Sequence, residues 1–247
     1  MARITRKNDD LLNKYYKYNK RKIIAYIICG ISFFLWMLNV IFINSFNPIL
    51  IFVLFVGFGG GGALGGYMKQ KADSYKSGVE GENATAQIIA SLPDTYTGFQ
   101  NIRITFEGKT SELDMLVVGP TGVFIIETKN MNGTIVGNYD NPQWVQKKVG
   151  QQGTPYSKNF YNPIKQVGTH VYRLAHYLRS SGCSAHISAM VYFSNPDTVV
   201  QLLGTPSEIP VFTALGNSAQ EICDYILENE QQISENELYH IRELLNV

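Results

Sequence analysis

Two uncharged, apolar stretches stand out in the first third of the chain. Residues 23–43 and 48–68 contain no Asp, Glu, Lys or Arg. Each stretch is long enough to cross the roughly 30 Å hydrocarbon core of a bilayer as a helix. The pattern therefore predicts two transmembrane helices joined by a tight turn, so that the lipid bilayer is the expected partner of residues 23–68.

Glycines recur every fourth residue in the second stretch, at Gly57, Gly61 and Gly65. This spacing gives a helix one smooth face, which allows another helix to approach closely. The predicted partner of that face is either the first helix or a second copy of the chain in a homo-oligomer. The run of glycines at residues 59–62 leaves a flexible linker as the competing interpretation.

Charge predicts that both termini lie in the cytoplasm. Residues 1–22 form a basic segment, Lys69 and Lys71 follow the second stretch, and the turn between the stretches carries no charge. Positive residues accumulate on the cytoplasmic side of membranes. We therefore expect a multi-pass protein of the cell membrane with a cytoplasmic soluble domain. A basic segment could also bind nucleic acid, but its position beside the membrane favours contact with anionic lipid.

The rest of the chain shows helical and strand periodicities. The predicted elements are a helix at 81–90, strands at 101–106, 113–118, 123–129 and 134–136, a long ordered loop at 137–162, a helix from 163 to 182, strands at 186–193 and 211–214, and C-terminal helices. Ser234 followed by Glu237 predicts a capping box at the start of the last helix. The expected fold class is α/β, with a mixed sheet flanked by helices.

One predicted hairpin has a well-defined register. A turn at residues 119–122 separates two apolar runs, so Val118 should face Val123 and Leu116 should face Ile125. Continuing this register predicts that the next residues on the same face are acidic.

Those residues are Asp114 and Glu127, and Lys129 shares their face because side chains alternate along a strand. Carboxylates that face each other across neighbouring strands repel, and a divalent cation between them would remove the repulsion. The competing interpretation is a structural ion pair between Glu112 and Lys129, with Asp114 in solvent.

Charge is distributed unevenly between three parts of the chain. Residues 1–71 carry a net charge of +8, residues 72–195 carry +1, and the acidic residues 196–247 carry −8. Nucleic-acid-binding domains usually have a basic footprint. The net charge of the soluble part therefore disfavours an extended, tight DNA-binding surface, but it disfavours transient contact at one small site less.

Five motifs occur in order along the soluble part. They are Gly78-x-x-Gly81-Glu82, Glu112-Leu113-Asp114, the nonapeptide at 122–130, Trp144, and the segment 160–170 that contains Gln166 and His170. Together these motifs resemble the nuclease-related domain (NERD) family over roughly residues 76–195. The resemblance implies a restriction-endonuclease-like αβββαβ core, which a strand and helices in residues 196–247 would complete. It also implies cleavage of DNA phosphodiesters with Mg²⁺ or Mn²⁺, and RNA stays open as a substrate.

The resemblance implies roles for individual residues. Asp114 and Glu127 would bind the metal ion, and Glu82 would be a further metal ligand or would orient the attacking water. Lys129 would orient or deprotonate that water and stabilise the transition state. Gln166 would contact the substrate phosphate.

Simpler roles stay open for several of these positions. Glu82 could offset the dipole of the helix that it begins. His170 is expected to be a partly buried histidine rather than a catalyst, and Trp144 a packing anchor rather than a base-stacking platform. Gly81 either allows a close approach near the site or simply begins a helix. Glu112 replaces the Gln of many family members, and it would either hold Lys129 away from substrate or help to bind metal.

The sequence thus predicts a membrane-anchored nuclease that depends on a divalent metal. The alternative is a catalytically inactive nuclease fold that binds or scaffolds a partner at the membrane, which the acidic C-terminal residues favour. A transporter or channel subunit is disfavoured because neither apolar stretch contains a charged side chain.

Overall fold

The computed structural model describes residues 1–43, 47–150 and 153–246. They form two compact units. Residues 10–79 make up a helical unit, and residues 1–9 together with residues 80–247 make up an α/β unit.

Two long helices build the helical unit. Helix α1 spans Asp10–Leu38 and continues as a π-helical turn at Asn39–Ile43, and helix α2 spans Pro48–Ala90. Asn47 caps α2, because its Oδ1 accepts hydrogen bonds from two N–H groups of the first helical turn, at 3.0 and 3.2 Å. By length and composition alone, both helices are candidates for membrane spans. The predicted turn falls partly on residues 44–46, which lie outside the described residues.

The glycine stripe of α2 packs against α1. A Cβ atom added at Gly61 would lie 2.9 Å from the Ala25 carbonyl oxygen, and one added at Gly57 would overlap the Ser32 hydroxyl. The absence of side chains is therefore what allows the two helices to approach. Packing of the stripe against the first helix is confirmed, while the homo-oligomer through the same stripe stays a prediction.

Helix α2 is longer than predicted. The second apolar stretch at 48–68 and the predicted helix at 81–90 are parts of one helix, because residues 69–80 contain no proline and only one glycine. The interpretation of residues 59–62 as a flexible linker is wrong, since they lie within this helix.

The described part of the α/β unit contains ten strands and two sheets. The strands are β1 (Arg3–Arg6), β2 (Thr97–Phe106), β3 (Lys109–Gly119), β4 (Gly122–Lys129), β5 (Gly133–Asn138), β6 (Gln143–Val149), β7 (Pro155–Tyr161), β8 (Ile187–Phe193), β9 (Thr198–Leu203) and β10 (Val211–Thr213). A six-stranded sheet has the order β1-β2-β3-β4-β8-β10, and a four-stranded sheet has the order β7-β6-β5-β9. Both sheets are mixed, since each combines parallel and antiparallel pairs.

Three further helices complete the unit: α3 (Pro163–Ser180), α4 (Ser218–Leu227) and α5 (Glu235–Asn246). Ser234 caps α5 by accepting a hydrogen bond from the Glu237 backbone N–H at 3.3 Å. The Glu237 carboxylate accepts from the Ser184 backbone N–H instead of closing the predicted capping box. Along the chain, the end of α2 is followed by β2, β3 and β4, then by β5, β6 and β7, and then by α3 and β8.

Apolar side chains cover both faces of the six-stranded sheet. On one face they pack against α3, α5 and the four-stranded sheet, and on the other against α4 and the last residues of α2. In β4, Val123 and Ile125 point to the first face, and Phe124 and Ile126 to the second. Because this alternation continues, Glu127 points to the face that α3 covers.

The expected mixed α/β fold flanked by helices is confirmed, but several elements differ from the prediction. The loop predicted at 137–162 is wrong, because this segment contains β6 and β7. Strands β1 and β9 were not predicted, and the four-stranded sheet to which β9 belongs is additional to the single sheet expected.

Candidate active site

The β3–β4 hairpin brings the acidic candidates together. The observed register pairs Val118 with Val123 and Leu116 with Ile125, as predicted. Beyond the last ladder pair, the Thr128 backbone N–H donates a hydrogen bond of 2.9 Å to Asp114 Oδ2. This bond fixes the Asp114 carboxylate beside the end of β4.

Lys129 connects the hairpin to helix α3. Its Nζ donates to Glu127 Oε1 at 2.6 Å and to Gln166 Oε1 at 3.1 Å. Asn162 holds the start of α3 in place, because its side chain accepts from the Ile164 N–H at 2.9 Å. The structure thus brings Gln166 to the same spot as the lysine and its carboxylate partner.

Glu82 is buried, with 5% of its surface exposed, and it is anchored by a residue that the sequence did not reveal. Asn101 Nδ2 donates to Glu82 Oε2 at 2.8 Å. The flanking pairs of the β2–β3 ladder place Asn101 opposite Asp114. Asn101 has a φ of 57°, a left-handed conformation that Asn tolerates better than most residues. Burial raises the pKa of Glu82, and the Asn101 hydrogen bond and the Arg6 charge oppose this rise only in part.

The N-terminal segment supports this corner of the site. Strand β1 adds to the edge of β2 in parallel, and Arg6 Nη2 then donates to Asn83 Oδ1 at 2.6 Å. Asn8 and Asn101 exchange hydrogen bonds between side chain and backbone, at 2.5 and 3.4 Å. Part of the basic segment, which was expected to serve topology, therefore also orders the neighbourhood of Glu82.

The pKa values of the two hairpin carboxylates shift in opposite directions. Burial raises the pKa of Asp114 well above its usual value, and the Glu127 charge adds to this rise. Burial would also raise the pKa of Glu127, but the Lys129 ammonium holds it below its usual value. Burial would lower the pKa of Lys129, yet the Glu127 and Asp114 carboxylates outweigh this effect and raise it. The pair thus favours a proton on Asp114 and a negative charge on Glu127.

His170 also lies at the site. It is 8% exposed, and its Nε2 is 3.4 Å from Glu127 Oε2. Apart from this contact, neither ring nitrogen of His170 has a hydrogen-bond partner within the described chain, and Glu127 Oε2 has no second one. His170 is buried as expected, with the Glu127 carboxylate as the polar contact of its Nε2. Its spacing of four residues from Gln166 on α3 is the sequence signal that points to the site.

Three other candidates have simpler roles. Glu112 pairs with Arg103 at 3.3 Å, so the alternative Glu112–Lys129 ion pair is wrong. Trp144 is fully buried against Phe193 and is a packing anchor, as expected. A Cβ atom at Gly81 would lie 2.8 Å from the Asn130 Cβ, so Gly81 does allow a close approach beside the end of β4.

The donor set fits a hard cation in part. In residues 1–43, 47–150 and 153–246, no three or more His, Cys, Asp or Glu side chains are grouped to hold a metal ion. Asp114 and Glu127 nevertheless adjoin, and in the described residues the buried Glu127 Oε2 has no hydrogen-bond donor apart from the 3.4 Å contact with His170 Nε2. Carboxylate oxygens are ligands that Mg²⁺ accepts. Two of the three predicted ligands, Asp114 and Glu127, therefore lie together, while one oxygen of Glu82 accepts a hydrogen bond from Asn101.

Parts of this chain are similar to known proteins. An uncharacterized protein of Bacillus anthracis is 32% identical over 109 residues, which are 42% of this chain and 50% of that protein. This chain thus spans about half the length of the curated relative that it matches.

Among solved structures, Can2 from Sulfobacillus thermosulfidooxidans, in complex with cyclic tetra-adenylate, is similar at 16% identity and a TM-score of 0.25, covering 73% of this chain and 39% of that one. The model of the nuclease-related domain family, NERD, matches residues 77–194. This match confirms the resemblance that the motifs between Gly78 and His170 predict.

Proposed function

We propose that this protein is a membrane-anchored nuclease of the restriction-endonuclease-like group, which hydrolyses DNA phosphodiesters with Mg²⁺ or Mn²⁺. The observation that carries the proposal is the meeting of Asp114, Glu127, Lys129 and Gln166 at the end of β4. The family match over residues 77–194 supports it. RNA has the same phosphodiester chemistry and is the other substrate to test.

Each residue has a defined task in this proposal. Asp114 and Glu127 would hold the metal ion, which supplies charge neutralisation and a water of lowered pKa. Lys129 would donate to the attacked phosphate or orient the water, because its ammonium lies beside the carboxylate pair. Gln166 would position Lys129 through the 3.1 Å hydrogen bond, and Asn101 would position Glu82.

The membrane anchor is part of the proposal. Only 17% of the apolar window in each of α1 and α2 is buried. Such exposed apolar surface favours a lipid environment over the core of a soluble protein. The basic residues on both sides of the helix pair favour cytoplasmic termini.

A binding protein without turnover is the second candidate. In the described residues, Lys129 is occupied by Glu127 at 2.6 Å and no group of three metal ligands is assembled. A nuclease fold that had lost turnover could keep such an ion pair for stability alone. In that case the function of the protein would be to bind a partner at the membrane and not to hydrolyse nucleic acid.

Hydrolysis is tested with the intact protein in nanodiscs. Wild type is incubated with supercoiled plasmid and with single-stranded DNA and RNA, in Mg²⁺, Mn²⁺ or EDTA. We expect cleavage that needs the metal and that falls about 10²-fold or more in Asp114→Asn and in Lys129→Met, the usual cost of removing a group that stabilises a transition state.

The matched controls are Asp140→Asn and Lys109→Gln, which remove one charge each at exposed positions and should cleave like wild type. Cleavage that survives unchanged in Asp114→Asn would contradict the role assigned to this carboxylate. Absence of cleavage with every ion and substrate would overturn the proposal in favour of the binding protein.

A further inference from the structure

Acidic residues are missing from one long part of the chain. Residues 141–196 contain no Asp or Glu, while they contain six basic residues: Lys147, Lys148, Lys158, Lys165, Arg173 and Arg179. This part forms β6, β7, α3 and β8. The near-neutral charge of the domain therefore hides a basic region next to the site.

Strands β6 and β7 form a hairpin that we name the basic wing (residues 143–149 and 155–161). Residues 155–159 are exposed on both faces of β7. An ordered strand that buries so little contributes little to a core. The exposed surface of β7 begins at Pro155 and extends to the exposed Tyr161, two residues before α3 begins.

Two lysines and a tyrosine share one face of the wing. The register pairs Lys148 with Tyr156 and Gln146 with Lys158. Residues paired across an antiparallel ladder point to the same side, and so do residues two apart. Lys148, Lys158 and Tyr156 are therefore neighbours on one face, and Tyr156 is 52% exposed.

The positive charges of Lys148 and Lys158 repel each other. Partial burial and the Lys158 charge both lower the pKa of Lys148. Neither lysine has a carboxylate within 4 Å in the described part of the chain. Like charges in diagonal positions on a sheet are unfavourable, and a bound anion would relieve the repulsion.

In the chain, the basic wing leads into the helix that carries Gln166. Strand β7 ends at Tyr161, and α3 starts two residues later at Pro163. In the first turn of α3, Lys165 is exposed, and the next residue, Gln166, contacts Lys129. The chain therefore runs from the wing through Lys165 to Gln166, which contacts Lys129. We expect a polyanion bound on the wing to follow the same path.

We propose that the basic wing binds the nucleic-acid strand on which the active site acts. Lys148 and Lys158 contact successive phosphates, and the exposed ring of Tyr156 stacks on a base. The substrate class rests on the proposed function. Charge complementarity favours this occupant over a β-strand from another protein, because Lys158 and Pro155 on the edge strand oppose strand addition.

Binding is measured without turnover. Intact protein carrying Asp114→Asn, in nanodiscs of neutral lipid and in EDTA, is titrated against labelled single-stranded and duplex DNA at several salt concentrations. The wing variant is Lys148→Gln/Lys158→Gln. The control Lys109→Gln/Lys69→Gln removes the same charge from exposed positions elsewhere.

We expect the wing variant to bind about tenfold more weakly or worse at low salt. Its slope of log affinity against log salt should fall by about 1.4 for single strands and about 1.8 for duplex, for two lost phosphate contacts. Tyr156→Ala should weaken single-strand binding about fivefold or more, whereas Tyr156→Phe should not. Unchanged melting temperatures show that the variants fold.

Equal affinities and slopes for the wing variant and the control would overturn the wing proposal, while metal-dependent cleavage by wild type would still stand. A lack of DNA binding by the parent protein would overturn it as well. Loss of binding in the wing variant together with no cleavage by wild type would support the wing and overturn hydrolysis.

Discussion

The opposite pKa shifts of Asp114 and Glu127 determine how the site responds to pH. A half-buried carboxylate and a buried one that lie close together do not both ionise readily. The Lys129 ammonium decides which one does, since it bonds to Glu127 at 2.6 Å. The metal-free site therefore carries one unfavourable group, Asp114, and one favourable ion pair.

Replacing Asp114 by Asn should stabilise the metal-free protein. The folded-state pKa of Asp114 is raised, so ionisation of this group costs stability as the pH rises above its unfolded value. Asn keeps an acceptor for the Thr128 N–H and has no charge. We expect a gain on the order of 1 kcal/mol at neutral pH, typical of relief at a functional site, and none near pH 3. Calorimetric unfolding checks this, and lower stability of Asp114→Asn at neutral pH would contradict it.

Replacing Lys129 by Met should have the opposite effect. It leaves the Glu127 carboxylate buried at 1% exposure without its partner, which costs about 3 kcal/mol or more. The folded-state pKa of Glu127 is lowered, so its contribution is present above the unfolded pKa and is lost as the pH falls through the folded pKa. The difference between Lys129→Met and wild type should therefore shrink in acid. A constant difference at all pH values would contradict the ion pair.

Sequence spacing was sufficient to bring Asp114, Glu127 and Lys129 together, because hairpin register is a local rule, whereas Gln166 was placed at the site by the family resemblance. Sequence spacing did not reveal Asn101. The contact of Asn101 with Glu82 spans 19 residues and depends on a left-handed backbone conformation. Such conformations depend on tertiary packing rather than on a short sequence pattern.

At the scale of elements, the edge strand β1 supports the Glu82 corner. Lys7 extends the pairing with β2, because its backbone N–H donates to the Gln100 carbonyl at 2.8 Å. The Asn8–Asn101 exchange follows directly in the chain. Loosening β1 should therefore affect the site without touching a site residue.

Lys7→Pro tests this dependence, with Lys7→Ala as its control. Proline removes the donor, whereas alanine removes the same charge and keeps the N–H. We expect faster hydrogen exchange at Ile102 and about tenfold lower cleavage in Lys7→Pro than in Lys7→Ala. Equal exchange and cleavage in the two variants would show that β1 does not support the site.

Elements with a strong apolar pattern were predictable, and exposed ones were not. The β3–β4 hairpin and α3 bury one or both faces, so their periodicity was visible in the sequence. Strand β7 buries almost nothing, and its polar sequence resembled a loop. Strand β1 is only four residues long and lies within a basic segment, which concealed its pairing.

At the scale of the whole molecule, charged and apolar residues are concentrated in different parts of the chain. Apolar helices make up most of the unit at residues 10–79, basic residues surround the candidate spans, and a second basic region at 141–196 adjoins the site. Averaging charge over the soluble part concealed this second region. Its role became visible only in the structure, where it forms β6 and β7 and then α3, the helix whose Gln166 contacts Lys129.

Titration of the intact protein with Mg²⁺ and Mn²⁺, followed by thermal unfolding, tests most directly whether Asp114 and Glu127 form a cation site. Wild type should gain about 2.7 kcal/mol at a metal concentration a hundredfold above Kd. Binding should also strengthen with rising pH, because Asp114 must release its proton. Asp114→Asn should abolish the gain, and Asp140→Asn should keep it. Equal stabilisation of wild type and Asp114→Asn, or none in wild type, would contradict the carboxylate pair as a metal site.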